Sequence, residues 1–249
     1  MSTNLEVIDK KVDVGGFKLN YSYHVINKES PTVILESGHG MSSEVWNEVK
    51  NGISSFANIF LYDRAGLGKS ELGNKPHHSN QVVENLNTLL QKENIKPPYI
   101  LVGHSLGGIH IRVFAHTYPE KVIGLVLVDS AHEEQDQKMV PYFSKEIQDI
   151  YYSQFVAEGT YEDFKDSLRQ VRDTRNSFVD IPIHILSAGV KDDYHNDKTY
   201  GLWLRFQKDF LSLSNHSKQV IAKKSNHFIH NKEPELVIES IKKIINKNR

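Results

Sequence analysis

The chain has 249 residues, with 30 Lys+Arg against 31 Asp+Glu and a formal net charge of −1. That balance removes the electrostatic case for binding nucleic acid or an anionic membrane. Cysteine is absent, which excludes disulfides, thiolate zinc sites and a Cys nucleophile.

At roughly 100–200 residues per domain, the length allows one large domain or two small ones. A chain this long buries roughly 70–75% of its unfolded surface, so it needs no metal or disulfide staple. The N-terminal MSTNLEVIDKKVDVGG has no basic region followed by an apolar one and does not read as a signal peptide. No uninterrupted apolar stretch reaches about 18 residues, the length a membrane span needs. With cysteine missing, these features lead to the expectation of a cytoplasmic protein, a monomer or small homo-oligomer.

The chain opens with a predicted β-hairpin. Leu5–Val14 and Phe17–Val25 show partial alternation, with Gly15-Gly16 as the turn between them. Short apolar runs then alternate with helical patterns. Thr32–Leu35 precedes Ser43–Phe56, and Asn58–Tyr62 precedes a glycine-rich loop and Asn80–Glu93. Tyr99–Val102 precedes Leu106–Thr117, and Val122–Val128 precedes a long polar, aromatic-rich stretch. Ile183–Leu186 precedes Thr199–Leu213, and Gln219–Ala222 precedes Glu233–Ile245. β-Branched runs without alternation predict strands buried on both faces. Their alternation with helices predicts an α/β fold: a mostly parallel central sheet with the antiparallel hairpin at its edge and helices on both faces. Leu86, Leu89 and Leu90 share one helical face, and Leu236, Ile238, Ile241, Ile244 and Ile245 form a stripe on the last helix. Pro234 falls in that helix's first turn, where its missing N–H costs nothing.

Between Ala131 and Asp180 no run reads as a strand, and the stretch is too long for an ordinary connection. Amphipathic pieces at Ser144–Ala157 and Tyr161–Arg175 predict a helical lid, residues 131–180, inserted in a single domain spanning 1–249. Its aromatics are Tyr142, Phe143, Tyr151, Tyr152, Phe155, Tyr161, Phe164 and Phe178. Helix-periodic aromatics are more often packing than ligand contacts, so only a few are expected to face a substrate.

The chemistry concentrates in Gly103-His104-Ser105-Leu106-Gly107-Gly108. A bare G-x-S-x-G is a weak signal, but this one joins an apolar strand to a helix. A turn that sharp strains the serine backbone and demands small residues two before and two after, here Gly103 and Gly107. It lifts the Ser105 hydroxyl above the sheet at a helix N-terminus that favours negative charge. Ser105 is therefore the candidate nucleophile, and a serine nucleophile needs a base. Among 13 histidines, His227 stands out because it follows the last strand, at the strand-end side that carries Ser105. Its neighbours His216 and His230 read as surface histidines. Acyl transfer also needs donors for an oxyanion. Gly38 and Gly40 flank His39 after the first parallel strand, and the main-chain N–H groups of His39 and Leu106 are the candidate pair. The His39 imidazole is expected to play no part.

The GHSLGG elbow, the SGHG loop, Tyr62–Ser70 (YDRAGLGKS), Tyr118–Glu134 (YPEKVIGLVLVDSAHEE) and Asn226–Val237 (NHFIHNKEPELV) together resemble the α/β-hydrolase-fold superfamily over nearly the whole chain. The resemblance implies a Ser–acid–His triad in that chain order, and an oxyanion hole from the loop after the third strand plus the residue after the nucleophile. Many relatives carry His-Gly in that loop. Ser37-Gly38 stands here, which spares backbone donors but changes the local polar packing.

Two carboxylates compete for the acid. Asp192, a G-x-x-D after the seventh strand, has the commonest spacing in the family. Asp129 terminates a strongly apolar strand, where its charge would be fixed, poorly hydrated and in need of a partner such as an imidazole N–H. Asp129 is preferred and Asp192 is the alternative. Asp63 reads as structural, pairing with Arg64 or with backbone in its turn. YDRAGLGKS lacks Walker A or G-x-G-x-x-G spacing. His132-Glu133-Glu134 and Asp192-Asp193-Tyr194-His195 read as solvated polar loops rather than metal sites.

These readings converge on a serine hydrolase, independent of any cofactor or metal, that cleaves a small or medium carboxylic ester through an acyl-enzyme on Ser105. The partner is a small-molecule acyl substrate. Family members that open epoxides or displace halides use Asp at the elbow, so Ser105 argues against both. The alternatives are a ligand-binding or signalling protein on a hydrolase scaffold, or a lactonase or aminopeptidase of the same fold. An aminopeptidase would need an acidic clamp, for which Glu133 and Glu134 are the candidates.

Overall fold

The computed structural model describes residues 6–27, 29–175 and 180–248. Its strands are β1 (Glu6–Asp13), β2 (Lys18–Val25), β3 (Thr32–Glu36), β4 (Asn58–Tyr62), β5 (Tyr99–His104), β6 (Val122–Val128), β7 (Ile183–Ala188) and β8 (Ser217–Ala222). They form one sheet in the order β1-β2-β4-β3-β5-β6-β7-β8. β1–β2 and β2–β4 pair antiparallel, and every later pair is parallel. The α/β architecture expected from the sequence is therefore present. The hairpin turns at Gly15 and Gly16, both at positive φ, and Asp13 accepts from both glycine amides. Leu5 of the expected first strand lies outside the described residues.

The helices are α1 (Asn47–Ile53), α2 (Ser79–Lys92), α3 (Leu106–Thr117), α4 (Gln135–Lys138), α5 (Lys145–Ser153), α6 (Tyr161–Asp173), α7 (Asp197–Asp209), α8 (Ile229–Lys232) and α9 (Pro234–Lys247). Side chains leave a strand on alternate faces, and here both faces are covered. Ile34, Leu101, Leu125 and Leu127 pack into one core with α2, α3 and α6. Their neighbours Val33, Leu35, Ile100, Val102, Val126 and Val128 pack into the other with α1 and α9. Uninterrupted apolar runs are what such a sheet requires. The edge strand β8 departs from this: Val220 and Ile221 are 37% and 44% exposed. The stripe on α9 is also shifted. Val237, Ile241, Ile244 and Ile245 are buried, whereas Leu236 and Ile238 are only partly so.

Between β6 and β7 the described residues form α4, α5 and α6, with short 3-10 turns at Val140–Tyr142 and Gln154–Val156. The two halves differ in packing. α6 starts at a capping box on Thr160 and buries Phe164, Leu168 and Val171 in the α2–α3 core. α5 buries no residue. Phe178 lies outside the described residues.

Candidate active site

The sequence candidates all follow the carboxyl ends of parallel strands, where open α/β sheets form their crevice. Ser105 sits between β5 and α3 with φ 51° and ψ −120°, a strained conformation for a residue with a side chain. Glycine is required around it. A Cβ on Gly103 would lie 2.6 Å from Gly107 O, and one on Gly107 would lie 2.5 Å from Glu36 O. The turn is tied to the next strand: Ser105 N–H donates to Val128 O at 3.2 Å, and Ser105 O accepts from Ala131 N–H at 3.0 Å.

His227 Nδ1 lies 2.7 Å from Asp129 Oδ2. Asp129 is 1% exposed, and a carboxylate removed from water is costly unless its lone pairs are met. Here they are. Oδ1 accepts from Ala188 N–H at 2.9 Å, and Trp203 Nε1 reaches both oxygens at 3.1 Å. Asp129 adopts a positive φ of 42°, which places a second strained residue in the site. Asp192 engages the same loop differently. Its Oδ2 accepts from the main-chain N–H of His227 at 3.2 Å and its Oδ1 from Asn226 Nδ2 at 2.7 Å. Asp129 therefore meets the imidazole, and Asp192 holds the backbone that carries it.

Behind His227 lies a cluster of rings that the sequence did not disclose. His104 Nε2 is 3.0 Å from His227 O, and the two rings are 4.6 Å apart. Burial, reinforced by the neighbouring His227 and His230, holds the His104 pKa far below the ordinary imidazole value. His230, expected at the surface, is fully buried against Trp46 and His104. Burial lowers its pKa to about 4. His216 is exposed, as expected.

In the Ser37–Gly40 loop, Ser37 Oγ donates to Ser42 O and accepts from Trp46 Nε1, both at 3.2 Å. The His39 ring packs 5.3 Å from Phe155. Leu106 opens α3, where its N–H has no helical acceptor. Arg64 is buried and reaches Glu36, Glu158 and the carbonyls of Ser37 and Gly38. Asp63 does not pair with Arg64. It accepts from the amides of Ser43 at 2.8 Å and Lys69 at 3.0 Å, the backbone role foreseen as the other option.

Both polar loops expected to be solvated contain buried members. Glu133 is 2% exposed and pairs with Arg112 and Arg175. Burial would raise its pKa, but the arginine charges more than offset that and hold the carboxyl well below the usual range. His132 is stacked on Phe206 with ring centroids 4.4 Å apart. His195 is 6% exposed, and burial lowers its pKa to about 4. Among the described residues no group of three or more His, Cys, Asp or Glu could hold a metal ion, and no helix is long and apolar enough to cross a membrane.

Ser105 and His227 open onto one cavity of about 340 Å³. Its apolar walls are Met139, Phe143, Ile147, Ile150, Tyr151 and Trp203. Two of the aromatics named from sequence between β6 and β7, Phe143 and Tyr151, line it. Phe155 and Phe164 are in the core instead. Sequence patterning carried no signal for Trp203, because its partner Asp129 is distant in the chain.

A family model described as the alpha/beta hydrolase fold matches residues 31–165. The chain belongs to the α/β-hydrolase fold family. Within that family it is similar to "Uncharacterized protein YqjL" of Bacillus subtilis (strain 168), 31% identical over 217 residues that cover 87% of this chain and 84% of that protein. Among solved structures it resembles a haloalkane dehalogenase loop variant from Bradyrhizobium elkanii, with TM-score 0.71, 14% identity and 97% of both chains covered. It also resembles a thermophilic esterase from Thermogutta terrifontis, with TM-score 0.66, 15% identity and 97% and 98% of the two chains covered. At such identities the likeness is one of fold.

Proposed function

We propose that this α/β-hydrolase is a serine hydrolase that cleaves uncharged carboxylic esters of small to medium size, with Ser105, His227 and Asp129 as its triad. The observation that carries the reading is the 2.7 Å contact from His227 Nδ1 to a buried, fully bonded Asp129 carboxylate, beside a strained serine on the same cavity. With Nδ1 committed to Asp129, Nε2 is the nitrogen left for the serine proton.

Ser105 Oγ attacks the ester carbonyl as its proton passes to His227 Nε2. The tetrahedral oxyanion takes hydrogen bonds from the amides of His39 and Leu106. The C–O bond to the alcohol breaks as His227 returns the proton to the leaving oxygen. Water, deprotonated by the same imidazole, then releases the acid and restores Ser105. Asp129 fixes the imidazole tautomer and stabilises its positive charge.

The cavity walls supply apolar contact and no Asp, Glu, Lys or Arg among the described residues. That supports an uncharged acyl substrate and offers no clamp for an amine. Of the two clamp candidates of the aminopeptidase alternative, Glu133 is occupied by Arg112 and Arg175, Glu134 pairs with Lys138, and neither lines the cavity. The segment 131–180 acts in this reading as a lid whose α5 side shapes the cavity.

The test is a panel of p-nitrophenyl esters, lactones and aminoacyl amides, run beside Ser105→Ala. Repeated turnover of esters that vanishes in the variant is expected. A single burst with retained product would favour a receptor on the hydrolase scaffold, and turnover that survives in the variant would overturn the mechanism.

A further inference from the structure

The loop that carries His39 is held by the segment inserted between β6 and β7. Three successive contacts link them. The Phe155 ring packs on the His39 ring at 5.3 Å. Gly40, at φ 66°, leaves room for Ala157, whose Cβ would lie 3.3 Å from a Cβ on that glycine. Gly40 N–H donates to Glu158 Oε2 at 3.0 Å.

Glu158 then passes the restraint to Arg64. Arg64 Nε and Nη2 both donate to its carboxylate, while Nη1 and Nη2 donate to Ser37 O at 2.8 Å and Gly38 O at 2.7 Å. The Arg64 and Glu158 side chains are 3% and 2% exposed. Water cannot substitute for a lost partner there, so the geometry is held tightly. The carbonyl side of the loop is thus bonded to Arg64, the amide side to Glu158, and the two side chains to each other. Glu158 itself follows Phe155, which is buried in the main core, whereas α5 just before it has no buried residue.

We infer that Glu158 is a positioning residue for the oxyanion site, fixing the Ser37–Gly40 loop so that the His39 amide meets the developing oxyanion. This rests on the hydrolase reading above. Oxyanion donors work only within about 2.7–3.1 Å of the anion, and a misplacement of about 1 Å costs on the order of 10²-fold in rate. Neither Arg64 nor Glu158 lines the cavity, so substrate binding should be spared.

The test is Glu158→Gln, which keeps the shape but sets an amide N–H against the Arg64 donors. Three quantities are read with a p-nitrophenyl ester: kcat, KM, and the affinity of an alkyl boronic acid, whose serine adduct mimics the tetrahedral anion. The inference expects kcat to fall roughly 10–100-fold, the boronate to weaken by a similar factor, and KM to change less than about two-fold. Unchanged kcat and boronate affinity would overturn it, as would a fall in kcat without weaker boronate binding. If Glu158→Gln does not fold, Arg64→Lys is read by the same quantities and the same outcomes. Ser105→Ala runs alongside: its turnover would strike the hydrolase reading, whereas an inert Ser105→Ala beside an unaffected Glu158→Gln strikes this inference alone.

Discussion

The indole Nε1 of Trp203 lies 3.1 Å from both carboxylate oxygens of Asp129. Trp203 comes from α7, so a helix packed against the cavity wall fixes the plane of a carboxylate at the end of β6. With the Ala188 amide on Oδ1, that bond leaves Oδ2 directed to His227.

Trp203→Phe keeps most of the ring and removes the N–H. A bond to a buried charged acceptor is worth about 1.5–3 kcal/mol. The urea midpoint should fall by a corresponding amount, and kcat should drop several-fold as the carboxylate loosens. A variant as stable and as active as the parent would contradict the assigned role.

Asp129→Asn and Asp192→Asn separate two different jobs. Asn at 129 presents an amide to His227 Nδ1 and favours the wrong tautomer, which typically costs on the order of 10⁴ in turnover. Asn at 192 weakens a main-chain contact at 3.2 Å and a side-chain contact at 2.7 Å and should cost no more than about 10-fold. Steady-state kinetics on one ester decides it, and reversed magnitudes would exchange the two assignments.

Gly107→Ala and Gly201→Ala should move stability in opposite directions. A Cβ at 107 meets the Glu36 and Ser37 carbonyls at 2.5 and 2.6 Å, backbone that cannot give way, so the protein should lose stability and activity together. At 201, inside α7, a Cβ meets nothing within 4 Å, and alanine should add up to about 1 kcal/mol through helix propensity. Thermal unfolding of the pair checks both signs.

These glycines also show why the elbow was legible in the sequence. Its backbone geometry is steric and local, so Gly103 and Gly107 carry the information themselves. The strands were legible for a similar reason: a sheet covered on both faces needs unbroken apolar runs in β3 to β6. What was hidden depends on partners far apart in sequence. His230 is buried because Trp46 and His104 enclose it, and Glu133 because Arg112 and Arg175 neutralise it. Neither fact leaves a mark on its own neighbours. Apolar context set a preference for Asp129 over Asp192, but their separate contacts with the His227 imidazole and main chain needed the three-dimensional arrangement.

Stability should fall on the acid side of neutrality. Burial lowers the pKa of His110 to about 3 and those of His184, His195 and His230 to about 4, from 6.5. Below pH 6.5 the unfolded chain takes up protons that these folded groups refuse. The stability they contribute is therefore full above pH 6.5 and is lost as pH falls toward 4. Glu158, held at about 2 because Arg64 outweighs the effect of burial, adds a further loss below pH 4.5. Glu36, whose pKa burial raises, opposes part of it. Urea midpoints at pH 7.5, 6 and 5 should decrease in that order, and a flat or rising series would contradict the account.

Ser105 as the nucleophile is tested most directly by covalent labelling with a fluorophosphonate probe followed by peptide mass spectrometry. The phosphonyl adduct is predicted on Ser105, with labelling abolished in Ser105→Ala and strongly slowed in Asp129→Asn. An adduct on another residue, or labelling that persists in Ser105→Ala, would contradict it.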